Sequence, residues 1–384
     1  MEVKQIYTLI NGVTEEILGK SNLIEEDLRN VVDVGDEVFN SSSVDAYVRS
    51  LVNHIGRVIF VNRAYSGSTP SVLMDGWEFG SVLEKISAEI PEAEENESWE
   101  LEDRASYDPN IFYAPKVSAK FYNSKITFEV PMSFTEKQVK QSFSSAAQLN
   151  GFISMLYISV EKSLTVKIDA LVMRTINNMS AETIYSDYGA ASLSGGSHVK
   201  AVNLLYLYNQ RYSKSLTAAN SITDPDFIRF AAYTMGVYKS RLSKISTLFN
   251  VGGKERFTPD DMLHVIMLAD FRTAADVYLQ SDVFHDQFTR LVDAETVPYW
   301  QGSGQGYAFA DISKIKVKTA ENHDIETAGI LAVMFDRDAL GVTNLDRRVT
   351  TNYNAKAEFF SNWYKFDAGY FNDFNENFVV FFVA

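Results

Sequence analysis

SFSSAAQLNGFISMLYISVEKSLTVKIDALVMRTINNM, residues 142–179, decides how the rest of the chain is read. Apolar residues fall at Leu149, Ile153, Leu156, Val160, Leu164, Ile168, Leu171 and Ile176. Gaps of mostly three or four are the one-face repeat of a helix. No proline interrupts the stretch, and Gly151 is its only glycine. At about 1.5 Å of rise per residue the helix would be roughly 55 Å long. Typical helices run to three or four turns. One reading is a core helix of an ordinary α/β protein. The other is a spine carrying separate lobes before and after it.

The totals bound the choice. A chain of 384 residues has length for about two domains and ample core. Hydrophobic residues make up 46% and charged residues 22%, a globular balance. The formal charge of −15 argues against a surface built to grip phosphate backbones. With no cysteine, disulfides, zinc–thiolate sites and cysteine nucleophiles are excluded. The first residues, MEVKQIYTLINGVTEEILG, carry early acids and no long apolar core, so no signal peptide is expected. No apolar run approaches 18 residues, so no membrane span or membrane partner is expected.

Outward from the long helix, the N-terminal side reads as an arm. Helices are expected at 6–18 and at 44–61, the second capped by Ser42 or Ser43, then a connector at 64–71. From Gly80 the period falls to two, with Val82, Ile86, Ala88 and Ile90 on one face. Seven acids follow between Glu92 and Asp103, among them Glu94, Glu95 and Glu97. Strands return at 117–121 and 126–130, joined by a turn at Asn123–Ser124 and closed by Pro131. Residues 80–131 thus form an extended β excursion.

On the C-terminal side, YGAASLSGGS (188–197) reads as a hinge centred on Gly195 and Gly196. An α/β lobe follows. It has helix at 199–212, a helix from Pro225 with Asp224 as cap running to about Phe249, a buried strand at 262–268 and a helix at 271–279. From Gly329 the chain is β. Residues 349–359 alternate cleanly and read as one long strand. The apolar segment FVVFFVA (378–384) must be paired or covered, and Val379, Phe381 and Val383 are expected against that strand.

No catalytic signature survives inspection. Gly253-Lys254 is followed by Glu255 and lacks the earlier glycine of a phosphate loop. GSGQG (302–306) does not match the dinucleotide fingerprint. The five histidines are scattered, and His264 in its apolar run reads as a satisfied core residue. No catalytic, cofactor-binding or metal-binding residue is assigned, and no cofactor is implied.

The order of parts, together with VPYWQGSGQGYAFADISKIKVKT (297–319) and ILAVMFDRDALGVTNLDRRVTTNYNAKAEFFSNWYKFDAG (330–369), resembles the major capsid protein of tailed double-stranded DNA bacteriophages. Encapsulin shells and the floor of herpesvirus capsids share that fold. The resemblance implies an α+β fold with five parts. These are an N-terminal arm with small helices (1–75), an extended β loop (76–135), a spine helix opening the peripheral domain (136–195), an axial α/β domain (196–324) and peripheral-domain strands (325–384). It implies a structural protein, not an enzyme, that self-assembles as hexamers and pentamers into an icosahedral shell. Scaffolding and portal proteins would be partners, and double-stranded DNA would be enclosed without sequence-specific binding. The protein would be assembled in the host cytoplasm and found in the virion. An encapsulin-type compartment is the alternative, and a soluble α/β enzyme the more distant one. Some relatives join a lysine and an asparagine of neighbouring subunits; Lys85, Lys116, Lys120 and Lys125 lie in the loop, but nothing singles out a set. In the family the loop reaches over a neighbour. The tract holding Glu92, Glu94, Glu95 and Glu97 reads by itself as a solvated loop; with the resemblance, the expectation is an intersubunit contact between it and Arg347 or Arg348. The Gly195–Gly196 pair is expected to supply the freedom that shell maturation needs.

Overall fold

The structure is a computed structural model that describes residues 3–18, 46–48, 50–51, 72–74, 83–88, 114, 116–189, 191–280, 291–301, 306–318 and 323–384. Its elements begin with α1 (Val3–Leu18), β1 (Leu73–Met74), β2 (Leu83–Ala88), β3 (Val117–Tyr122), β4 (Lys125–Thr135), α2 (Glu136–Ser142) and α3 (Ala146–Tyr188). Then come β5 (Ala201–Asn203), α4 (Leu204–Tyr212), α5 (Pro225–Leu242), β6 (Leu263–Leu268), α6 (Ala269–Gln280) and β7 (Glu295–Val297). The chain ends with β8 (Ile315–Lys318), β9 (Asp324–Thr327), β10 (Ile330–Asp336), β11 (Leu340–Asn354), β12 (Phe359–Asn372) and β13 (Phe378–Phe382). Two compact units divide it: residues 1–80, 125–175 and 341–370 form one, and residues 81–124, 176–340 and 371–384 the other.

The long helix is real and longer than its periodicity predicts. α3 has 43 residues, about 65 Å at the helical rise. Leu149, Ile153, Leu156, Val160, Leu164, Ile168, Leu171 and Ile176, the residues of the predicted stripe, are all buried. Its start shifts from Ser142 to Ala146 because a separate helix, α2, occupies 136–142. Thr135 caps α2 and accepts from the Gln138 amide at 3.2 Å, while the Gln138 side chain accepts from the Thr135 amide at 2.8 Å.

In the first unit a four-stranded sheet runs in the order β1-β11-β12-β4. β4 and β12 pair antiparallel from Phe359 opposite Thr135 to Gly369 opposite Lys125. Pro131 does not end β4 as expected; it sits opposite Trp363. β4 is an edge strand, where a proline's missing N–H costs no ladder bond. The single strand expected over 349–359 is also corrected. β11 stops at Asn354, whose Oδ1 accepts from the amides of Lys356 (3.1 Å) and Ala357 (3.2 Å), and Glu358 takes φ +48°. That side-chain-driven turn reverses the chain into β12. Alternation alone cannot reveal it, because the turn keeps the polar–apolar rhythm. Phe134, buried in this unit, meets the Phe152 ring at 5.4 Å and the Phe360 ring at 5.9 Å between centroids.

In the second unit a five-stranded sheet runs β5-β13-β10-β6-β7. β13 pairs antiparallel with β10, Phe335 opposite Phe378, and parallel with β5, Val380 opposite Ala201. The apolar segment is therefore paired on both edges, as its composition requires, but not against 349–359: β11 and β12 belong to the other unit's sheet. Every residue of β10 and β13 is buried. β2 and β3 pair with each other, and β4 with β12, so Asn123–Ser124 is a crossing between sheets and not a hairpin turn. The helix expected over 199–212 begins only at Leu204, after β5. α5 starts as expected, with the Asp224 carboxylate accepting from the Phe227 amide at 2.8 Å. It ends at Leu242 and not near Phe249; the Leu242 carbonyl accepts from the Thr258 amide at 2.7 Å, and Ser246 bridges Arg256.

α3 contributes residues 146–175 to the first unit and 176–188 to the second. In the second it is buried nearly all round, and small polar residues make this tolerable. Ser180 and Thr183 donate to the carbonyls of Ile176 and Met179, and the Asn177 side-chain amide donates to the Trp300 carbonyl at 2.7 Å.

Two substitutions test these assignments, both read by urea unfolding of the unassembled chain. Leu164→Ala should cost about 2–5 kcal/mol, while Val166→Ala on the exposed side of the same turn should stay within about 0.5 kcal/mol. Equal losses would mean that the buried stripe is misplaced. Gly329 takes φ +85°, and a Cβ there would stand 2.1 Å from the Val383 carbonyl oxygen. Gly329→Ala should therefore cost at least about 1–2 kcal/mol and shift the folding midpoint accordingly.

Candidate functional site

The β pair β2–β3 has two chemically distinct faces. Residues alternate along each strand, so one face carries Leu83, Lys85, Lys120 and Tyr122 and the other Ile86, Val117, Ala119 and Phe121. Lys85 stands directly opposite Lys120. Like charges in that position repel unless an anion lies between them.

The segment between β12 and β13 supplies the anions. Asp373 accepts from Lys120 Nζ at 2.9 Å and lies 3.0 Å from Lys85 Nζ through its other oxygen. Glu376 accepts from Lys85 Nζ at 2.7 Å and from Arg256 Nε at 3.2 Å. Lys85 also donates to the Asp338 carbonyl at 3.2 Å. Three cations and two carboxylates thus form one network, with the Asp373 side chain only 3% exposed. Local backbone holds the acids in place. The Asp373 amide donates to the Ala339 carbonyl at 2.7 Å, and Gly252 N–H to the Phe374 carbonyl at 2.7 Å. A Cβ on Gly252 would stand 2.0 Å from Asn375 Oδ1, so a larger residue there would push that side chain aside. Tyr122 stacks obliquely on Phe371 at 5.1 Å and closes one side of the cluster.

Electrostatics follow the geometry. Burial pushes the Asp373 carboxyl up, but Lys120 and Lys85 outweigh it and hold it below the usual carboxylate range. Burial pulls Lys85 down, and its bonds to Glu376 and Asp373 more than reverse that. Burial, then the nearby carboxylates, push the Tyr122 phenol well above its ordinary value. Asp336 goes the other way from Asp373: burial raises it, and the Asp338 amide only partly compensates. The network is a clasp that fixes β2–β3 by charge. It leaves Ile86 and Phe121, each 65% exposed, on the outward face.

The residues expected from the sequence are placed as follows. Glu92, Glu94, Glu95 and Glu97 lie outside the described residues, as do Ser42, Ser43 and the connector at 64–71. Arg348 points outward and grips its own chain: it binds Asp367 through two nitrogens at 2.7 and 3.3 Å, and Asp346 at 2.7 Å. Burial raises the Asp367 carboxyl, yet Arg348 and Thr127 hold it low. Arg347 is half-buried, and its amide donates to Asp346 Oδ1 at 2.8 Å. Gly195 ends a single 3-10 turn from Leu193, and the Gly196 carbonyl accepts from the Tyr188 hydroxyl at 2.9 Å. His264 is buried and accepts from Arg337 Nε at 2.8 Å; burial, then that cation, depress its pKa. Sequence reasoning named Lys85 and Lys120 only as loop lysines and missed Asp373, Glu376 and Arg256. The available signal was two lysines on the same face of adjacent strands, with an acid pair in FNDFNENF just before the apolar strand. Among the described residues no three acids or histidines gather as a metal site would require, and no helix is long and apolar enough to cross a membrane.

The clasp makes a pH-dependent prediction. A carboxyl whose folded pKa is depressed contributes stability above its unfolded value of about 3.9 and loses it as pH falls through the folded value. Amide exchange protection across 83–88 and 117–122 should therefore hold at pH 5 and fall progressively below pH ~4. Asp373→Asn should weaken that protection already at neutral pH, by about 1–3 kcal/mol, and flatten the acid dependence. Unchanged protection in the variant would show that the clasp does not hold the β pair.

The arrangement binds and positions but offers no poised nucleophile, which turns attention to proteins whose work is to fit against other chains. No curated protein matches this sequence. Solved structures that align with it include the capsid structure of Staphylococcus phage Andhra, at 10% identity and TM-score 0.45 over 83% of this chain and 84% of that one. Another is the capsid structure of the cyanophage P-SCSP1u, at 9% identity and TM-score 0.44 over 85% and 92%. These likenesses are too distant to carry the argument. The Phi29-like phage major capsid protein model matches residues 10–382, nearly the full length and every element of both units except the first turns of α1, and the chain belongs to that family of phage major capsid proteins.

Proposed function

We propose that many copies of this chain close an icosahedral head of hexamers and pentamers around packaged double-stranded DNA. The observation that carries the reading is the family match across residues 10–382. Two features of the molecule support it. Apolar side chains stand uncovered on ordered elements, Ile86, Val117 and Phe121 on β2–β3 and Met155, Ile158 and Val166 on α3. Such surfaces are what repeated subunit contacts bury. The charge of −15 suits a wall that must not hold DNA tightly during filling and release. In this reading the protein is structural and non-catalytic. It works with scaffolding and portal proteins, assembles in the host cytoplasm and ends in the virion. In this reading Gly195 and Gly196, with no Cβ to restrict φ and ψ, supply the backbone freedom for shell expansion.

Electron microscopy of the protein expressed with and without its genomic neighbours tests this. Closed isometric particles with fivefold and sixfold clusters are expected when a scaffolding protein is supplied. A small soluble oligomer under all conditions would overturn the reading. Shells that enclose a cargo enzyme and lack a portal vertex would identify an encapsulin-type compartment instead.

A further inference from the structure

A basic groove lies elsewhere on the described surface, along α4 and α5 and the loop that follows. Two adjoining concavities of ≈ 780 and ≈ 460 Å³ share Arg229 and Tyr233. Their floor is aromatic and apolar and poorly covered: Tyr212 is 50% exposed, Tyr233 60% and Leu248 58%. Their rim is cationic, formed by Arg211, Lys214, Arg229, Arg241 and Lys244. The single acid among the lining residues, Asp226, is already paired with Arg229 at 3.2 Å. Arg211 lies over the Tyr212 ring at 5.7 Å and the Tyr233 ring at 5.8 Å, so its charge is held beside these two aromatic residues of the lining. Among the described residues Arg211, Lys214, Arg241 and Lys244 form no ion pair. Five cations against one acid is the reverse of a chain with 35 basic and 50 acidic residues.

Such a groove fits an acidic segment carrying an aromatic or large aliphatic anchor. The carboxylates would meet the rim and the anchor the floor. A DNA duplex presents phosphates outermost and keeps its base planes stacked inside, so it offers no protruding anchor for the floor. The chain's densest acidic segment has the required chemistry: PEAEENESWELED (91–103), where seven acids in thirteen residues surround Trp99 and Leu101 with no basic residue among them. Arg348 is a weaker acceptor for it, because Asp346 and Asp367 already neutralise that guanidinium. We propose that the α4–α5 groove receives the 91–103 tract of another copy of this chain. The proposal rests on the multi-copy reading above.

A labelled peptide of residues 90–104 titrated into the full-length chain tests it by fluorescence anisotropy. The receiving chain carries Trp99→Ala so that its own tract does not compete. Saturable binding that weakens with salt is expected. Loss of at least tenfold in affinity is expected for Tyr233→Ala, for Arg211→Glu with Lys244→Glu, and for a peptide with Trp99→Ala. The peptide variant leaves the protein untouched, so misfolding cannot mimic its effect. Undiminished binding to the groove variants, loss on Arg347→Glu with Arg348→Glu instead, or no binding at all would overturn the proposal. So would a short DNA duplex that displaces the peptide and depends equally on Tyr233. The readout needs no assembled particle. Binding without shells would fault only the functional reading, and shells without binding only this inference.

Discussion

Between its two end turns an α-helix satisfies its backbone groups within itself, and this fold depends on that self-sufficiency. α3 is buried along one stripe where it serves the first unit and nearly all round where it serves the second. A strand could not make that passage, since its backbone groups need neighbours on both sides. The side chains change accordingly. Up to residue 170 the exposed positions are filled by residues such as Lys162 and Lys167; beyond it Thr175, Ser180 and Thr183 bring hydroxyls that turn back on the helix carbonyls. A polar group that satisfies itself within its own helix can be buried without a partner elsewhere, so the packing around it stays apolar.

A second constraint is electrostatic. Two lysines opposite one another on an isolated strand pair cannot be explained from that pair. They make sense only with Asp373 and Glu376, more than 250 residues away, between and beside them. Buried ion pairs contribute little net stability over an apolar replacement. Their value is in position, because β2–β3 can sit in only one register if both ammonium groups are to meet carboxylates. That fixes which face, with Ile86 and Phe121, is turned outward.

Much of this was legible in the sequence, for identifiable reasons. The stripe of α3, the Asp224 cap and the buried strand at 263–268 follow from local periodicity and capping chemistry, and they stand where expected. The errors occur where a local pattern is compatible with two long-range pairings. Residues 349–359 keep a period of two through the Asn354 turn, so alternation concealed a reversal. Pro131 reads as a stop unless the strand is known to lie at an edge. Val379 and Phe381 had to be buried, but which strand buries them is decided by sheet order, which no local pattern records. The clasp was invisible for the same reason: its lysines, acids and arginine lie in three separate stretches. Family-like phrases near the C-terminus carried the identity that composition and spacing alone did not.

The position of β13 has a consequence for the newly made chain. β5, β6 and β10 leave the ribosome well before it, yet β13 is the strand that joins β5 to β10. Until residue 382 has emerged, β10 has an unpaired apolar edge and β5 has no sheet to join. Pairings so distant in sequence form slowly, and open edges invite association with other nascent chains. The five-stranded sheet of the second unit therefore cannot close until β13 has been made. Strand order thus sets the timing: β5 and β10 wait on a strand made some 180 and 50 residues after them.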